Sequence, residues 1–282
     1  MKKIDNLEII IEKKIKISNL EIFSQPIIDF KKINSSNLHD KHFEILSRFY
    51  NSNQKLIPPD KIFSIDRNSH FFEKLDYIIF EEVFKKLHNL SNKLGHNYLA
   101  AINVSKPTIF RNGNFLKYIE DLRKTYSSIK PENIQFELTE KGDNGICDFL
   151  NKSLNLGYNI SIDDFGTENF SVQKLRNVVL NQIQNKENFS KLKIKVDRAF
   201  IKNLHNKNTK DLAIDHAFLE IALAIKKVYP QITLVAEGIE EVSTAKYLRK
   251  IGFDYGQGFL WGKPQIFNEN YEQPKFEDFL IK

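Results

Sequence analysis

The stretch Ile134-Gln135-Phe136-Glu137-Leu138-Thr139-Glu140 reads as a strand that closes on carboxylates. A strand covered on both faces favours an unbroken apolar run, so Glu137 and Glu140 at its end need a reason. The same ending recurs along the chain. Asn103 lies near the end of the apolar run 98–104, and Asp163-Asp164 follow the run 160–162. Lys195 and Asp197 close the run 192–196, Glu237 and Glu240 follow 232–236, and Gln257 follows 253–255. Two earlier runs, 22–30 and 43–49, complete the series. Glu44 is the exception, since it sits at the start of its run rather than the end.

Helical patterns separate most of these runs. Residues 71–94 place Leu75, Ile78, Ile79, Val83, Phe84 and Leu87 at three- and four-residue spacing, and 115–126, 146–156, 212–228 and 242–251 are alike. About eight strands alternating with helices over roughly 250 residues suggest a (β/α)8 barrel. A doubly wound open sheet is the rival, and alternation alone does not separate the two. In a barrel the C-terminal strand ends share one mouth, where such enzymes build their sites. No Pro/Gly/Ser-rich linker divides the 282 residues, so one domain over 1–282, with its core about 22–264, is expected. The polar stretch 178–190 reads as an extended insertion before a strand.

Composition narrows the classes further. A single cysteine, Cys147, excludes an intramolecular disulfide framework and paired-cysteine metal or redox motifs. The formal net charge of +6 is spread along the chain, without the concentrated basic stripe of a nucleic-acid binder. Asp5 and Glu8 interrupt what would be an apolar signal core, and no run of about 18 apolar residues occurs. A cytoplasmic protein without a membrane span is expected.

Carboxylates crowded into one mouth repel, and several stay protonated unless a cation joins them. Taken singly, each is an ordinary surface residue at a strand end; at successive strand ends that reading weakens. Carboxylates with one Asn and no nearby Cys or His offer oxygen alone, the chemistry of Mg²⁺ or Mn²⁺ rather than zinc. The number of candidate ligands allows two ions, an arrangement suited to in-line displacement at phosphorus. Lys195 would orient the attacking water or neutralise charge on phosphate.

At these residues the sequence resembles the EAL-domain family, the bacterial cyclic di-GMP phosphodiesterases, over about 22–264. Gln25-Pro26-Ile27 is similar to an early family motif, and Glu44-Ile45-Leu46-Ser47-Arg48 occupies the signature Glu-Ala-Leu-x-Arg, with Ile for Ala. Asn103-Val104-Ser105, Glu137-Leu138-Thr139-Glu140, Asp163-Asp164-Phe165-Gly166-Thr167, Lys195-Val196-Asp197-Arg198, Ala236-Glu237-Gly238-Ile239-Glu240 and Gln257-Gly258-Phe259 follow in the family order. The resemblance implies a modified (β/α)8 TIM-like barrel with its first strand antiparallel, acting as a homodimer. It also implies hydrolysis of cyclic di-GMP to linear pGpG with two divalent cations, Mg²⁺ or Mn²⁺. Glu44, Asn103, Glu137 and Asp163 would hold one ion. Asp163 and Asp164 would hold the other, with Asp197 and Glu237 as further candidates. Lys195 would assist the water, with Glu237 and Glu140 in the catalytic set and Glu140 anchoring the loop after Asp164. Gln25, Leu46, Arg48 and Glu240 would contact substrate, and Gln257 would support the site by hydrogen bonding.

Two further departures from the family pattern stand out. Glu168 replaces a Gly in the loop after Asp164, and the interval 175–195 is roughly double the family's, consistent with an insertion. The competing reading is a degenerate relative that binds cyclic di-GMP, or a protein partner, without turnover. The retained ligand positions favour catalysis. A His-Asp phosphohydrolase, prompted by His39-Asp40, is rejected because the other histidines form no ligand spacing.

Overall fold

The computed structural model describes residues 9–11, 15–17, 19–32, 42–58, 61–62, 70–95, 97–110, 112–138, 144–165, 186–202, 204 and 209–268. Glu140, the loop containing Glu168 and residues 178–185 of the expected insertion lie outside them.

β1 (Ile9–Ile11) and β2 (Ile15–Ile17) pair antiparallel as a small separate sheet. β3 (Asn19–Asp29) then lies antiparallel to β4 (His42–Tyr50), whose far end carries the short β5 (Leu56–Ile57). α1 (His70–Leu94) leads to β6 (Leu99–Asn103), and α2 (Lys106–Phe110) and α3 (Asn112–Thr125) lead to β7 (Ile134–Leu138). α4 (Asn144–Asn155) connects to β8 (Asn159–Phe165), and β9 (Leu192–Val196) follows. α5 (Arg198–Ile201) and α6 (Thr209–Val228) precede β10 (Thr233–Ala236). α7 (Val242–Ile251) precedes β11 (Tyr255–Gln257) and the short β12 (Gln265–Ile266).

The main sheet closes on itself. Its order β12-β3-β11-β10-β9-β8-β7-β6-β4-β5 is completed by the pairing of β3 with β4. Eight of the described strands thus form a barrel, and β3 runs antiparallel to both its neighbours, β4 and β11. The other neighbours run parallel. Closure removes the open-sheet rival and bears out the antiparallel first strand.

Alternation along each strand divides the buried side chains into two cores. Phe43, Ile45, Ile102, Phe136, Ile160, Ile194 and Leu234 face outward and join one large cluster with the helices. Within it Phe80, Phe115, Phe136 and Phe149 meet ring to ring, seating α1, α3 and α4 on β7. Ile27, Ala101 and Val235 face inward and form a second, small cluster with Tyr255. The rest of the barrel interior is unusually polar: His42, Gln135, Ser161 and Lys193 are all buried there. An interior filled by branched apolar side chains is the norm, so this one is committed to something other than packing.

The end of the expected insertion is ordered and packed. A 3-10 turn (Lys186–Lys191) buries Asn188 and Phe189, and the Phe189 ring stacks on Tyr229 at 5.3 Å. Among the described residues no helix is long and apolar enough to cross a membrane.

Candidate active site

Inward-facing polar residues converge where the parallel strands end. Glu137 on β7, Asp163 on β8 and Lys195 on β9 are the next inward positions beyond Gln135, Ser161 and Lys193, two residues back along each strand. Glu237 follows β10 directly, and Gln257 ends β11. Near Asp163 the β8–β9 register slips between Ile162 and Phe165, so β8 carries one extra residue there. Such bulges re-aim side chains beside functional sites. Asp163 turns inward to the site, and Asp164 contributes its backbone to the same irregularity.

Glu44 reaches this cluster in spite of its early place in β4. Barrel strands are tilted and staggered, so height in the barrel is set by register rather than by position along one strand. Glu44 stands opposite Gln25 on β3 and beside Ala101 on β6. From there its Oε1 accepts a hydrogen bond from Asn103 Nδ2 at 3.2 Å, and its Oε2 accepts from Gln257 Nε2 at 2.6 Å. Gln257 Nε2 also donates to Gln25 Oε1 at 3.1 Å, and Gln25 Nε2 donates to the Gly262 carbonyl.

Lys195 is the centre of the arrangement. Its side chain is 1% exposed, and its Nζ lies 2.7 Å from Glu237, 3.1 Å from Glu137, 3.3 Å from Asp163 and 3.8 Å from Glu44. Burial alone would lower the pKa of the ammonium, but the surrounding carboxylates overcome it and hold the group well above its ordinary value. Glu137 also accepts from Ser161 Oγ and Gln135 Nε2. Burial, with repulsion from Glu44 and Asp163, pushes its carboxyl up to about 8 against the pull of Lys195. Burial likewise raises Glu237 well above the usual carboxylate range, although Lys195 opposes the shift. Four carboxylates thus share one ammonium, and two of them are held toward the protonated form. The site is short of positive charge.

That deficit, and a donor set of oxygens from Glu44, Asn103, Glu137, Asp163 and Glu237, fits a hard divalent cation in chemistry. In this arrangement Lys195 occupies the middle of the cage. Among the described residues no group of three or more His, Cys, Asp or Glu side chains is arranged to hold a metal ion.

The other expected residues are placed as follows. Gln25, Glu44, Asp163, Glu237, Glu240 and Gln257 line one open pocket of about 290 Å³ at the mouth, together with Arg198 and Phe259. Leu46 and Arg48 stand opposite Phe23 and Glu21 on the same strand face as Glu44, continuing it beyond the rim. The Arg48 guanidinium lies 5.6 Å from the Phe23 ring centroid and donates to the Ser47 carbonyl, so it does not line the pocket. Asp197 accepts a hydrogen bond from the Ala199 backbone N–H and caps α5. Sequence reasoning missed Asp76. Its buried carboxylate accepts from the Ser105 N–H, the Ser105 hydroxyl and the Thr108 hydroxyl, and so fixes the turn that follows Asn103. The available signal was an acidic residue on the apolar face of α1, next to Leu75 and between Phe72 and Ile79.

The sequence matches the family model for the EAL domain over residues 10–264. It is similar to the cyclic di-GMP phosphodiesterase PdeA of Borreliella burgdorferi, 27% identical over 259 residues, which cover 90% of this chain and 35% of that protein. It is also similar to the cyclic di-GMP phosphodiesterase PdeF of Escherichia coli, 29% identical over 233 residues, or 80% of this chain and 28% of that one. The chain therefore spans about a third of the length of these curated relatives. Among solved structures, the EAL enzyme Bd1971 in its cAMP- and cyclic-di-GMP-bound form matches with a TM-score of 0.70 at 27% identity, covering 88% of this chain and 62% of that chain. The PaMucR phosphodiesterase in complex with c-di-GMP shares the fold, with a TM-score of 0.68 at 21% identity, covering 88% of this chain and 92% of that chain.

Proposed function

Since the chain belongs to the EAL domain family, we propose that it is a metal-dependent phosphodiesterase that hydrolyses cyclic di-GMP to linear pGpG. One observation carries the reading. Glu44, Glu137 and Asp163 on three strands, and Glu237 just past the end of a fourth, converge on the buried ammonium of Lys195 at the barrel mouth. Structural ion pairs are seldom built with three surplus carboxylates, whereas a site that receives cations needs them.

In this reading Glu44, Asn103, Glu137 and Asp163 hold one divalent ion, Mg²⁺ or Mn²⁺, and Asp163, Asp164 and Glu237 serve a second. When bound, the ions supply charge neutralisation at the phosphoryl oxygens and make water acidic enough to attack. The chain's own groups hold the geometry. Gln257 fixes the Glu44 carboxylate, Ser161 and Gln135 fix Glu137, and Lys195 keeps a positive charge beside the water and the phosphoryl group. Gln25 and Glu240 line the path by which the nucleotide enters. A cytoplasmic location goes with this reading.

A homodimer goes with it too. α6 exposes Ile214, Ile221 and Val228 at seven-residue intervals, the outer two 58% and 68% exposed, with Ala217 and Ala224 between them. A seam of that period suits a second helix, and a two-fold contact would pair it with its own copy.

The second reading is a receptor that binds cyclic di-GMP without cleaving it. The placement of Lys195 at the centre of the cage favours it. Chromatography of the nucleotide after incubation with Mg²⁺, run beside calorimetric titration, separates the two. Appearance of pGpG supports the enzyme; binding with the nucleotide intact supports the receptor.

A further inference from the structure

Resting on the cyclic di-GMP reading, the structure assigns a substrate-binding role to Arg198. A cyclic dinucleotide carries two phosphodiesters into a mouth whose other charged lining groups are the carboxylates Glu44, Asp163, Glu237 and Glu240. Among the described residues, Arg198 is the one cation that lines the pocket. Lys195 is sealed behind four carboxylates, and Arg48 is turned onto the Phe23 ring. Arg198 is differently placed. Its Nη2 lies 3.0 Å from Glu240 Oε1, with both side chains half-exposed, and an exposed pair of this kind contributes little and exchanges easily.

The seat of the arginine is specific. Its aliphatic stem lies against Gly238, whose φ is +67°. A Cβ at 238 would come within 2.3 Å of Arg198 Cγ, so a side chain there would displace the stem. We propose that Arg198 leaves Glu240 when the nucleotide arrives and pairs through its planar fork with a phosphodiester oxygen. Glu240 latches it in the empty site. The guanidinium suits this exchange because it offers two parallel donors to phosphate where lysine offers a point charge.

The test is calorimetric titration of cyclic di-GMP into the wild type, Arg198→Ala, Arg198→Lys and Glu240→Gln. Ca²⁺ replaces Mg²⁺, nucleotide integrity is checked by chromatography, and folding is checked by thermal melting. Arg198→Ala is expected to weaken binding about tenfold or more, as loss of a charge-assisted contact does, and to flatten its salt dependence. Arg198→Lys should recover part of the loss. Glu240→Gln should tighten binding several-fold, roughly the gain from releasing an exposed ion pair, an effect no merely structural role produces. Arg198→Ala binding like the wild type, with an unchanged salt slope, overturns the assignment and leaves the cyclic di-GMP reading intact. Weakened binding by Glu240→Gln overturns the latch. A wild type that does not bind cyclic di-GMP overturns both readings together.

Discussion

Gln257 Nε2 donates to Glu44 Oε2 at 2.6 Å, tying the last barrel strand to the second across 213 residues of sequence. The same amide holds Gln25 Oε1, so one side chain at the barrel seam sets the direction of a proposed ligand and of the pocket wall beside it. Gln257→Leu keeps the volume and removes both donors. Its kcat should fall on the order of 10- to 100-fold, the usual cost of losing a group that orients a metal ligand. Among the described residues Gln257 Oε1 has no hydrogen-bond partner, so removing that buried carbonyl offsets part of the loss of the two donor bonds, and the melting temperature should fall only modestly. Steady-state kinetics beside thermal melting checks both halves.

Lys195→Met leaves Glu44, Glu137, Asp163 and Glu237 without their shared ammonium. Removing one partner from a buried charge cluster costs roughly 3–5 kcal/mol, so the variant should melt early and lack turnover. Added Mg²⁺ should raise its melting temperature more than that of the wild type, since the ion can take the vacated charge. A melting temperature indifferent to Mg²⁺ would count against a cation site here.

Asp76 makes a pH prediction apart from the proposed ligands. Burial pushes its carboxyl up to about 6 from the usual 3.8, although Thr108 and Ser105 pull the other way. The folded chain therefore binds this proton more tightly than the unfolded one does. The stability Asp76 contributes is fully present below the unfolded value and is lost as pH rises through about 6, on the order of 3 kcal/mol in all. Denaturant titrations from pH 4 to 8 should show this loss in the wild type and its absence in Asp76→Asn.

How much the sequence carried can be judged from such residues. The strand 134–138 and the helix 242–251 were legible to the residue, because apolar periodicity and punctuation by Pro131 and Gly252 agree with the tertiary fold. The barrel strand ends were legible because carboxylates there break a local rule. The closure of β3 onto β4 and β11 was not readable from alternation, since antiparallel pairing leaves no period of its own. Asp76 and Arg198 were missed for different reasons. A single buried carboxylate in an amphipathic helix resembles a solvated one until its partners fold over it. The availability of Arg198 depends on Gly238 lying beneath its stem, a contact across the ends of the paired strands β9 and β10 that no local sequence pattern encodes. The short α2 (Lys106–Phe110) contains Pro107 and has too few residues to show a period.

The exposed stripe on α6 gives a prediction about assembly. Ile221→Glu places a charge in the middle of the seam defined by Ile214 and Val228. Sedimentation should show a dimer for the wild type and a monomer for the variant at the same concentration. A monomeric wild type would remove the proposed role of this face.

The central claim is that the carboxylate cage around Lys195 is a divalent-cation site for phosphodiester hydrolysis. Its most direct test is incubation of the purified protein with cyclic di-GMP and Mg²⁺ or Mn²⁺, with and without excess EDTA, followed by chromatographic separation of the nucleotides. The account predicts linear pGpG with either ion and intact cyclic di-GMP in the chelator; undiminished hydrolysis in excess EDTA, or intact nucleotide with both ions present, would contradict it.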